Sequence, residues 1–271
     1  MSGKTVVITG STKGIGKGLA REFARRGHNV VVSGRSGLDA AVAEVQAIAA
    51  AGAKVVGQTC DVTDLAQVQA LWARAVDSFG RVDIWINNAG LSNTRFPIGK
   101  LPQAEVEAVI RANLLGTMFG SRVALAGMQS QGSGALYNFE GFGSNGRRQR
   151  GISLYGATKN AITYFNKCLE RETKGGPVLV GLMSPGIVIT DLSLRDKGKM
   201  PPQAWDFVIK VFNILADRVE TVTPWLADQA LANTRHGARI AWLTPRKSLW
   251  RFLKSRISPP GERFPELRAS T

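Results

Sequence analysis

Two side chains in the middle of the chain, Tyr155 and Lys159, have the types and the spacing of a proton-donating pair. Residues four apart lie on one face of a helix, so the two would be neighbours if residues 154–172 are helical. A lysine ammonium beside a phenol favours the phenolate, which lowers a phenol pKa from its usual value of about 10. Such a tyrosine could give a proton to a carbonyl oxygen that is being reduced. The alternative is a surface pair, since Tyr-x-x-x-Lys is common.

A phosphate-binding loop is predicted near the start of the chain, where TGSTKGIG follows a strand pattern and precedes a helix pattern. Gly10 and Gly14 permit a tight turn that brings backbone close to a pyrophosphate, and Gly16 lets helix and strand pack closely. The helix N-terminus would direct amides and a partial positive charge at the phosphates. The loop residues expected to contact a dinucleotide are Gly10, Ser11, Lys13, Gly14, Ile15 and Gly16. The alternative is a plain tight turn, because glycine triplets alone are weak evidence.

The end of the second strand pattern indicates which dinucleotide the loop would bind. The sequence there is Ser33-Gly34-Arg35-Ser36, without the acidic residue that bonds the ribose hydroxyls in an NAD site. Arg35, together with Lys13, could instead bind a 2′-phosphate through charge-assisted hydrogen bonds. The sequence therefore favours NADPH, and the alternative is that both side chains are solvated surface cations.

Apolar runs bounded by turn residues alternate with helical patterns along the chain. The runs are rich in valine and isoleucine and lack polar alternation, which is typical of a parallel sheet covered on both faces. This predicts an α/β doubly wound Rossmann fold, with a parallel sheet of about seven strands and helices on both faces. The predicted strands are 5–10, 29–34, 54–61, 82–88, 135–139, 178–184 and 239–243.

One catalytic domain is predicted over residues 1–245, followed by a basic tail over 246–271. Within the domain, residues 190–220 break the alternation and could form a substrate lid. The segment RKSLWRFLKSRI (246–257) has five basic residues and no acidic one, and Leu249, Trp250, Leu253 and Ile257 fall near one helical face. This face could rest on anionic lipid or border an apolar substrate. The alternative is an amphipathic helix packed on its own domain.

The formal net charge of +15 favours anionic partners, but the basic residues are scattered and no nucleic-acid module is visible, so no specific nucleic-acid binding is expected. No apolar run reaches about 18 residues, the length that suggests a membrane span. A strand pattern begins at Thr5 and leaves no room for a leader segment. Cys60 and Cys168 lack metal-type spacing. We therefore expect a cytoplasmic protein with reduced thiols and no metal.

Several motifs occur together in an order that resembles the short-chain dehydrogenase/reductase family over about residues 4–245. They are the glycine loop, Asn87-Asn88-Ala89-Gly90 after the fourth strand, Asn113 in the next helix, Tyr155 with Lys159, and Pro185-Gly186 with Thr190. The resemblance implies an oxidoreductase that transfers hydride between a nicotinamide cofactor and a small-molecule carbonyl. It also implies a homodimer or homotetramer, formed through the helices around 103–128 and 154–172.

The same resemblance implies roles for further residues. Asp61 and Val62 would lie by the adenine, and Asn88, Ala89 and Gly90 by the adenosine. Asn113 would hold a water that relays protons to Lys159, which would also bond the nicotinamide ribose. Pro185, Gly186, Val188 and Thr190 would border the nicotinamide end of the cofactor.

One expected hydroxyl is missing. Most of the family has Asn-x-Ser-Ser after the fifth strand, whereas this chain has Asn138-Phe139-Glu140-Gly141, so Gly141 occupies the place of the catalytic serine. An acidic residue followed by Gly-x-Gly-Ser is similar to one branch of the family, the chlorophyll b reductases, as are residues 184–192 and 239–245. That resemblance implies NADPH-dependent reduction of the formyl group of chlorophyll(ide) b to hydroxymethyl.

The rearranged stretch leaves several alternatives open. Ser144 could replace the missing donor or could cap a turn, and a backbone amide near Gly141 could also serve. Glu140 could be a general acid, although a carboxylate at a strand end more often bonds backbone amides. The chain could also reduce another apolar aldehyde or ketone, such as a steroid, acyl ketone or xenobiotic. A third possibility is a sensor that binds NADPH without turnover.

Substrate contacts are expected from the loop that leads into the Tyr155 helix. Gly141 and Phe142 would lie beside the reacting carbonyl, and Arg147 and Arg148 follow in the basic stretch NGRRQRG (145–151). These arginines could pair with a substrate carboxylate in bidentate fashion. The alternative is a solvated connector, since exposed charge is normal in loops.

Overall fold

Seven parallel strands form one sheet in the computed structural model, which describes residues 3–268. The strands are β1 (Thr5–Ile8), β2 (Asn29–Gly34), β3 (Val55–Thr59), β4 (Ile84–Asn87), β5 (Gly134–Phe139), β6 (Val178–Ser184) and β7 (Arg239–Ala241). Their order across the sheet is β3-β2-β1-β4-β5-β6-β7, and every neighbouring pair is parallel. The predicted doubly wound α/β fold is confirmed.

Alternate residues of the central strands belong to two apolar cores, one on each face of the sheet. Val6 and Ile8 of β1 are fully buried in one core, and Val7 between them is fully buried in the other. The side chains of β2 alternate in the same way, with Val30 in the first core and Val31 in the second. Because successive side chains of a strand point to opposite faces, this pattern requires helices on both faces.

Helices cover both faces of the sheet. They are α1 (Gly14–Arg25), α2 (Leu38–Gln46), α3 (Leu65–Phe79), α4 (Gln103–Ile110), α5 (Gly116–Gln131), α6 (Ser153–Glu172), α7 (Asp191–Leu194), α8 (Pro202–Leu215), α9 (Val219–Ala232) and α10 (Pro245–Ile257). A π-helical turn, Arg111–Leu115, joins α4 to α5. Within residues 3–268, no helix is both long and apolar enough to cross a lipid bilayer.

The strand order reverses at β1, which pairs with β2 on one side and with β4 on the other. The connections that leave β1 and β4 therefore run to opposite sides and open a crevice at the carboxyl edge of the sheet. Ligands of doubly wound folds bind in such a crevice. The glycine loop follows β1 and Asn88-Ala89-Gly90 follows β4, so the fold delivers both motifs to this edge.

Three helices differ from the sequence prediction. Local sequence patterns predict helices over 38–51, 103–128 and 224–233. In the structure α2 ends at Gln46, the π-helical turn interrupts the second helix, and α9 begins earlier, at Val219. α9 continues through Pro224 because Val222 and Leu226, four residues apart, are both fully buried in a core. Their burial outweighs the one backbone hydrogen bond that a proline inside a helix removes.

The segment assigned to a substrate lid contains the helices α7 and α8. α8 buries Val208, Ile209 and Phe212 in a third core, and Phe264 and Leu267 from the end of the chain pack in the same core. The end of the described chain therefore packs on α8, in the segment predicted as the lid.

Candidate active site

The glycines of the loop after β1 lie at positions that a larger residue could not occupy without strain or a clash. Gly10 and Gly14 have φ angles of +63° and +56°, in the left-handed region that favours glycine. A Cβ at Gly10 would lie 2.8 Å from the Cα of Ala89, and one at Gly16 would lie 2.5 Å from the Nδ2 of Asn88. Ser11, between them, is fully buried and its hydroxyl donates to the carbonyl of Ile8. Backbone therefore lies where a phosphate could approach it closely.

Helix α1 begins directly after this loop without a side-chain cap. Lys13 is its N-cap residue and makes no capping hydrogen bond, and the first turn, which includes Ile15, has no acidic side chain. The first amides of a helix lack partners within the helix, and together with the helix dipole they favour an anion. Loop and helix start therefore fit the pyrophosphate of a dinucleotide.

Asn88 and Thr9 fix the glycine loop to the end of β4. The Nδ2 of Asn88 donates to the carbonyls of Thr9 and Gly10, each at 2.9 Å. The hydroxyl of Thr9 accepts from the amides of Asn88 at 3.0 Å and Ala89 at 3.1 Å. Asn88 and Ala89, expected near the adenosine, thus also set the position of the loop, with Gly90 following them.

The two predicted phosphate-binding cations lie at the surface near acidic partners. The Nη1 of Arg35 is 3.9 Å from the Oδ2 of Asp61, and the Nζ of Lys13 is 3.8 Å from the Oδ2 of Asp191. The cation side chains are 66% and 76% exposed, so these pairs contribute little to stability and could be exchanged for a phosphate. Val62, beside Asp61, is buried against Gly116.

The segment after β6 lies next to the glycine loop. Gly186, which follows Pro185, has a φ of +77°, and a Cβ there would lie 2.5 Å from the Cβ of Leu243. Thr190 begins α7 with a capping box, and its Cγ2 lies 3.6 Å from the Cβ position of Gly14. Val188 is buried and pairs with Asp217. The structure therefore brings the predicted nicotinamide-end residues up to the phosphate loop.

Tyr155 and Lys159 lie on one face of α6, as predicted. The Nζ of Lys159 is 5.8 Å from the centre of the Tyr155 ring and donates to the carbonyl of Phe139 at 3.1 Å. Lys159 is 5% exposed, and Phe139 is the last residue of β5. The pair therefore lies between the carboxyl end of β5 and the start of α6.

The predicted lowering of the Tyr155 pKa is wrong for this arrangement. Burial raises the pKa of Tyr155 to about 12. Burial also lowers the pKa of Lys159 to about 8, although the negative charge of Glu140 acts in the opposite direction. The prediction fails because desolvation disfavours the charged form of both groups, and the ammonium bonds the Phe139 carbonyl instead of the phenol. At neutral pH Tyr155 is therefore a protonated donor.

Asn93, which belongs to no motif of the sequence, positions the start of α6. Its Oδ1 accepts from the amide of Tyr155 at 3.0 Å, and its Nδ2 donates to the carbonyls of Gly151 at 2.8 Å and Thr94 at 2.7 Å. Asn93 is fully buried. It therefore caps α6, the helix that carries Tyr155, from another part of the chain. The available signal was an asparagine, a capping residue type, shortly after Gly90.

Asn113 joins the loop after β4 to α6. Its Nδ2 donates to the carbonyl of Leu91 at 2.9 Å and to the hydroxyl of Thr158 at 3.0 Å, and its Oδ1 accepts from the amide of Leu91 at 2.7 Å. Both hydrogens of Nδ2 are thus used in these bonds. Only Oδ1 and the backbone groups of Asn113 remain to hold the water of the expected proton relay. Asn113 lies in the π-helical turn, a feature frequent at functional sites.

Gly141, in the place of the missing serine, lies under the hydroxyl of Tyr155. A Cβ at residue 141 would meet that hydroxyl, and it would lie 3.0 Å from both the Cζ of Tyr155 and the Cγ of Lys159. The φ angle of Gly141 is not in the left-handed region, so space alone requires glycine here. The absent side chain is what allows the Tyr155 hydroxyl to approach the backbone after β5.

Ser144 caps the turn that contains Gly141. Its hydroxyl accepts from the amide of Gly141 at 3.1 Å and donates to the carbonyl of Lys159 at 3.2 Å. Of the two alternatives for Ser144, this geometry favours the cap over the replacement donor. The bond also uses the Gly141 amide that was considered as a donor. Tyr155 therefore remains the candidate proton donor of the site.

The buried carboxylate of Glu140 forms an ion pair with Arg239, the half-exposed first residue of β7. Its Oε2 accepts from the Nε of Arg239 at 2.8 Å and from the Nη2 at 2.7 Å, and its side chain is 3% exposed. This contact favours the structural alternative for Glu140, with Arg239 as the partner instead of backbone amides. The carboxylate remains close enough to Lys159 to favour its ammonium form.

A row of buried asparagines fixes the register of the strands that carry the site. Asn87 of β4 lies opposite Asn138 of β5, and the Nδ2 of Asn87 donates to the Oδ1 of Asn138 at 2.8 Å. The Nδ2 of Asn138 donates to Asn166 of α6 at 2.9 Å. Buried polar groups are stable only when they are paired, so this row permits one alignment of β4, β5 and α6.

Two ion pairs fasten the segment after α7 to the loop after β4 and to the first turn of α4. The Nη2 of Arg195 is 2.8 Å from the Oε1 of Glu105, and the Nε of Arg95 is 3.0 Å from the Oδ2 of Asp196. Asp196 is 6% exposed. Both contacts lie beside Asn93, so the segment predicted as a lid is tied to the loop that positions Tyr155.

The expected substrate residues lie on the exposed loop before α6. Arg147 and Arg148 are exposed, as is Phe142 at 38%. The loop ends at Gly151, whose carbonyl is bonded by Asn93. These arginines therefore lie on a solvent-accessible loop next to the Tyr155 helix. Over residues 3–268, no group of three or more His, Cys, Asp or Glu side chains is placed to hold a metal ion.

The buried lysine should make the free energy of unfolding depend on pH. Because the Lys159 pKa is about 8 in the folded protein and about 10.4 in an unfolded chain, the unfolded state binds more protons between these values. The contribution of Lys159 to stability should therefore rise with pH across this window, by at most about 3 kcal/mol. We expect Lys159→Met to remove this rise in urea unfolding measured from pH 7 to 11, whereas Lys174→Met, at an exposed lysine, keeps it. Parallel profiles for wild type and Lys159→Met would contradict the prediction.

Comparisons with known proteins agree with the motifs. The family profile described as short chain dehydrogenase matches residues 4–199. A probable chloroplastic chlorophyll(ide) b reductase of Oryza sativa subsp. japonica is 34% identical over 264 residues, which cover 91% of this chain and 51% of that protein. A chloroplastic chlorophyll(ide) b reductase of Arabidopsis thaliana is 36% identical over 238 residues, which cover 86% of this chain and 67% of that protein. The chain thus spans about half the length of the rice protein.

The fold is also similar to solved structures. Levodione reductase matches with a TM-score of 0.80 at 25% identity, over 91% of this chain and 98% of that one. A 3-ketoacyl-(acyl-carrier-protein) reductase from Brucella melitensis, solved as a complex with NADH, matches with a TM-score of 0.75 at 23% identity, over 89% of this chain and 97% of that one. The resemblance drawn from the motifs is confirmed by the profile match and the relatives.

Proposed function

This chain belongs to the short-chain dehydrogenase family, and we propose that it is an NADPH-dependent reductase of a formyl group on a tetrapyrrole, as in chlorophyll(ide) b. The observation that carries the proposal is the stretch Glu140-Gly141, in which Gly141 lies under the Tyr155 hydroxyl. This is the feature by which the chain departs from most of its family and resembles the chlorophyll b reductase branch. Two relatives named as chlorophyll(ide) b reductases support the same assignment.

The chain's own residues would bind the cofactor and handle the proton. A bound reduced nicotinamide dinucleotide would supply a hydride to the carbonyl carbon, leaving the oxidised cofactor. Gly10, Gly14 and the start of α1 would hold its pyrophosphate, and Lys13 and Arg35 its 2′-phosphate. The Tyr155 hydroxyl would give its proton to the carbonyl oxygen, so that the aldehyde becomes a hydroxymethyl group. Lys159, a few ångströms from the phenol ring, would stabilise the phenolate that remains.

The basic loop before α6 would select for an acidic form of the substrate. Arg147 and Arg148 are exposed beside the Tyr155 helix and could pair with a carboxylate such as a tetrapyrrole propionate. An apolar substrate body would meet Phe142 on the same loop. We accordingly propose an apolar, carboxylate-bearing carbonyl compound as the substrate.

The proposal is tested by turnover on a panel of carbonyl compounds. The purified chain is incubated with NADPH and chlorophyllide b, chlorophyll b, a steroid ketone, an acyl ketone or a small aromatic aldehyde, and NADPH absorbance is followed. We expect the highest kcat/KM for chlorophyllide b, with the hydroxymethyl product identified by mass. Faster turnover of another ketone would indicate that the same fold and active site act on a different substrate. Binding of NADPH without any turnover would indicate a sensor and would contradict the proposal.

We also propose a homodimer or homotetramer in which α4, α5 and α6 lie at the contact between copies. Tyr164 of α6 and Ile110 of α4 are 73% and 41% exposed, and such apolar side chains on the predicted interface helices support the proposal. The molar mass in solution, measured by light scattering, tests it. A monomer at all concentrations would exclude it.

Arg35→Asp is expected to shift the cofactor preference toward NADH. The change removes a cation that would bind the 2′-phosphate and adds an acceptor for the ribose hydroxyls. A charge-assisted hydrogen bond contributes about 1.5–3 kcal/mol, so the ratio of kcat/KM for NADPH to that for NADH should fall about tenfold or more. The ratio is measured with one carbonyl substrate held constant.

Arg25→Asp is the matched control, because Arg25 lies at the far end of α1 from the glycine loop. It reverses the same charge without touching the site and should leave the ratio unchanged. An unchanged ratio in Arg35→Asp would mean that Arg35 is only a surface cation. Lys13 would then be the remaining candidate for the phosphate contact.

A further inference from the structure

The apolar side chains of α10 face solvent. Leu249, Trp250, Leu253 and Ile257 are 62%, 58%, 52% and 88% exposed. At 3.6 residues per turn, these four side chains fall within about 100° of the helix circumference. They therefore form one continuous stripe, which we call the apolar stripe of α10. Monomeric proteins rarely leave such a patch uncovered unless it binds something.

The polar side of α10 attaches the helix to its own domain. The Nη1 of Arg251 donates to the Oδ2 of Asp217 and to the carbonyl of Leu215, each at 2.9 Å. One turn earlier, the Nζ of Lys247 lies 3.4 Å from the centre of the Trp242 ring. The helix is thus inverted relative to an ordinary surface helix, with cations inward and apolar residues outward. The exposure of the stripe contradicts the alternative that its apolar face packs on the domain.

Asp217 fixes the orientation of α10. It is 4% exposed and also accepts from the Nε1 of Trp242 at 2.7 Å and from the Nη2 of Arg263 at 3.1 Å. Its backbone amide donates to Ile187 and its carbonyl accepts from Ile189, beside the candidate nicotinamide end of the site. The apolar stripe is therefore presented by a helix held at several points, and it has a fixed position relative to the active-site edge.

The charges around the apolar stripe indicate what covers it. Helix α10 contains five basic residues and no acidic one. Arg251 and Lys247 are used in the inward contacts, which leaves Arg246, Lys254 and Arg256 exposed around the stripe. A two-fold contact between copies of this chain would place these cations against each other, which is unfavourable. An anionic surface with an apolar interior is complementary to both parts of the helix.

We propose that α10 is a docking surface for an anionic lipid membrane. Trp250, Leu253 and Ile257 enter the boundary between headgroups and acyl chains, and Arg246 and Arg256 meet the lipid phosphates. A groove of about 440 Å³ lies beside the stripe and is lined by Trp250 and Lys254 among others, so the exposed Lys254 ammonium could meet a headgroup phosphate there. Since the proposal concerns a surface and not turnover, it does not depend on the identity of the substrate.

Binding of the 271-residue chain to lipid vesicles tests the proposal. Vesicles of phosphatidylcholine alone are compared with vesicles that contain about one third phosphatidylglycerol, and bound protein is measured by flotation. Each exposed cation near an anionic surface contributes about 1 kcal/mol, so binding to the anionic vesicles should be about tenfold to a hundredfold stronger. This preference should weaken with added salt.

Two pairs of variants separate the apolar and the charged contributions. The double variant Leu253→Gln/Ile257→Gln should weaken binding to anionic vesicles about tenfold or more, and Arg246→Glu/Arg256→Glu should remove the preference for them. Ile98→Gln, at an exposed apolar residue before α4, and Lys174→Glu, at an exposed cation after α6, are the matched controls and should bind like wild type. All of these side chains are exposed, so the variants should keep the wild-type thermal unfolding temperature.

Several outcomes would overturn the proposal. The first is no binding to anionic vesicles at low salt, and the second is equal binding by wild type and the Leu253→Gln/Ile257→Gln variant. A third is loss of a dimer in that variant, measured by sedimentation, which would assign the stripe to contacts between copies of this chain. The vesicle measurement needs neither cofactor nor substrate, so its result is independent of whether the reductase assignment holds.

Discussion

Tyr155→Phe is expected to lower kcat for carbonyl reduction by about 10²–10⁴-fold, because it removes the proposed general acid. Burial holds the Tyr155 pKa at about 12, so the phenol is fully protonated at neutral pH and its proton is available to the carbonyl oxygen. The Ser144 hydroxyl is not expected to take over, since it is bonded to the backbone of Gly141 and Lys159. The dissociation constant of NADPH, measured by fluorescence titration, should stay within about threefold of wild type.

Tyr164→Phe is the matched control for this prediction. Tyr164 lies on the same helix, α6, and its side chain is 73% exposed, so removal of its hydroxyl should change neither kcat nor NADPH binding. If Tyr155→Phe kept kcat within about threefold of wild type, Tyr155 would not be the proton donor. A parallel loss of NADPH binding would instead assign the tyrosine to the cofactor site.

The sheet could be predicted from the sequence because its strands are buried on both faces. β2 and β6 were predicted with the bounds that the structure shows, Asn29–Gly34 and Val178–Ser184. In such strands nearly every residue is apolar, so the runs are visible without knowledge of their partners. Helix ends were predicted less well, since burial of Val222 and Leu226 carries α9 through a proline that local propensity treats as a start.

The motifs also predicted which loops meet at the carboxyl edge of the sheet, but not the contacts that position them. Asn93, which caps the Tyr155 helix, and Asn166, which ends the buried asparagine row, belong to no motif. Their partners are 62 and 28 residues away along the chain. Such contacts depend on tertiary packing, and a single sequence carries no local signal for them.

The sequence also did not predict the directions of the Tyr155 and Lys159 pKa shifts or which side of α10 faces the domain. The spacing of Tyr155 and Lys159 predicts their proximity, but the degree of burial sets the direction of both pKa shifts. The pattern of α10 predicts an amphipathic helix, whereas the contacts of Arg251 with Asp217 decide which side faces inward. Periodicity shows that a helix has two faces, and long-range polar contacts then choose between them.

Gly141→Ser is expected to lower kcat about 100-fold, although it restores the residue that most of the family has at this position. The Cβ of any residue at 141 would meet the Tyr155 hydroxyl and would lie 3.0 Å from the Cζ of Tyr155. The phenol must then move away from the backbone after β5, and a displacement of about 1 Å at a reacting group can cost about 10²-fold in rate. Steady-state kinetics with a saturating carbonyl substrate measure the effect.

The comparison of Gly141→Ser with Gly141→Ala separates the added Cβ from the added hydroxyl. If lost space is the cause, both variants should lose activity to a similar extent, and NADPH should still bind to both. Gly156→Ala is the matched control, because a Cβ at Gly156, on the same helix as Tyr155, would lie 3.8 Å from its nearest neighbour, an ordinary contact distance. If Gly141→Ser were as active as wild type while Gly141→Ala was impaired, the serine hydroxyl would be taking part in the reaction. The wild-type chain would then lack a catalytic hydroxyl at position 141. The close approach of the Tyr155 hydroxyl to the backbone would not be needed for activity.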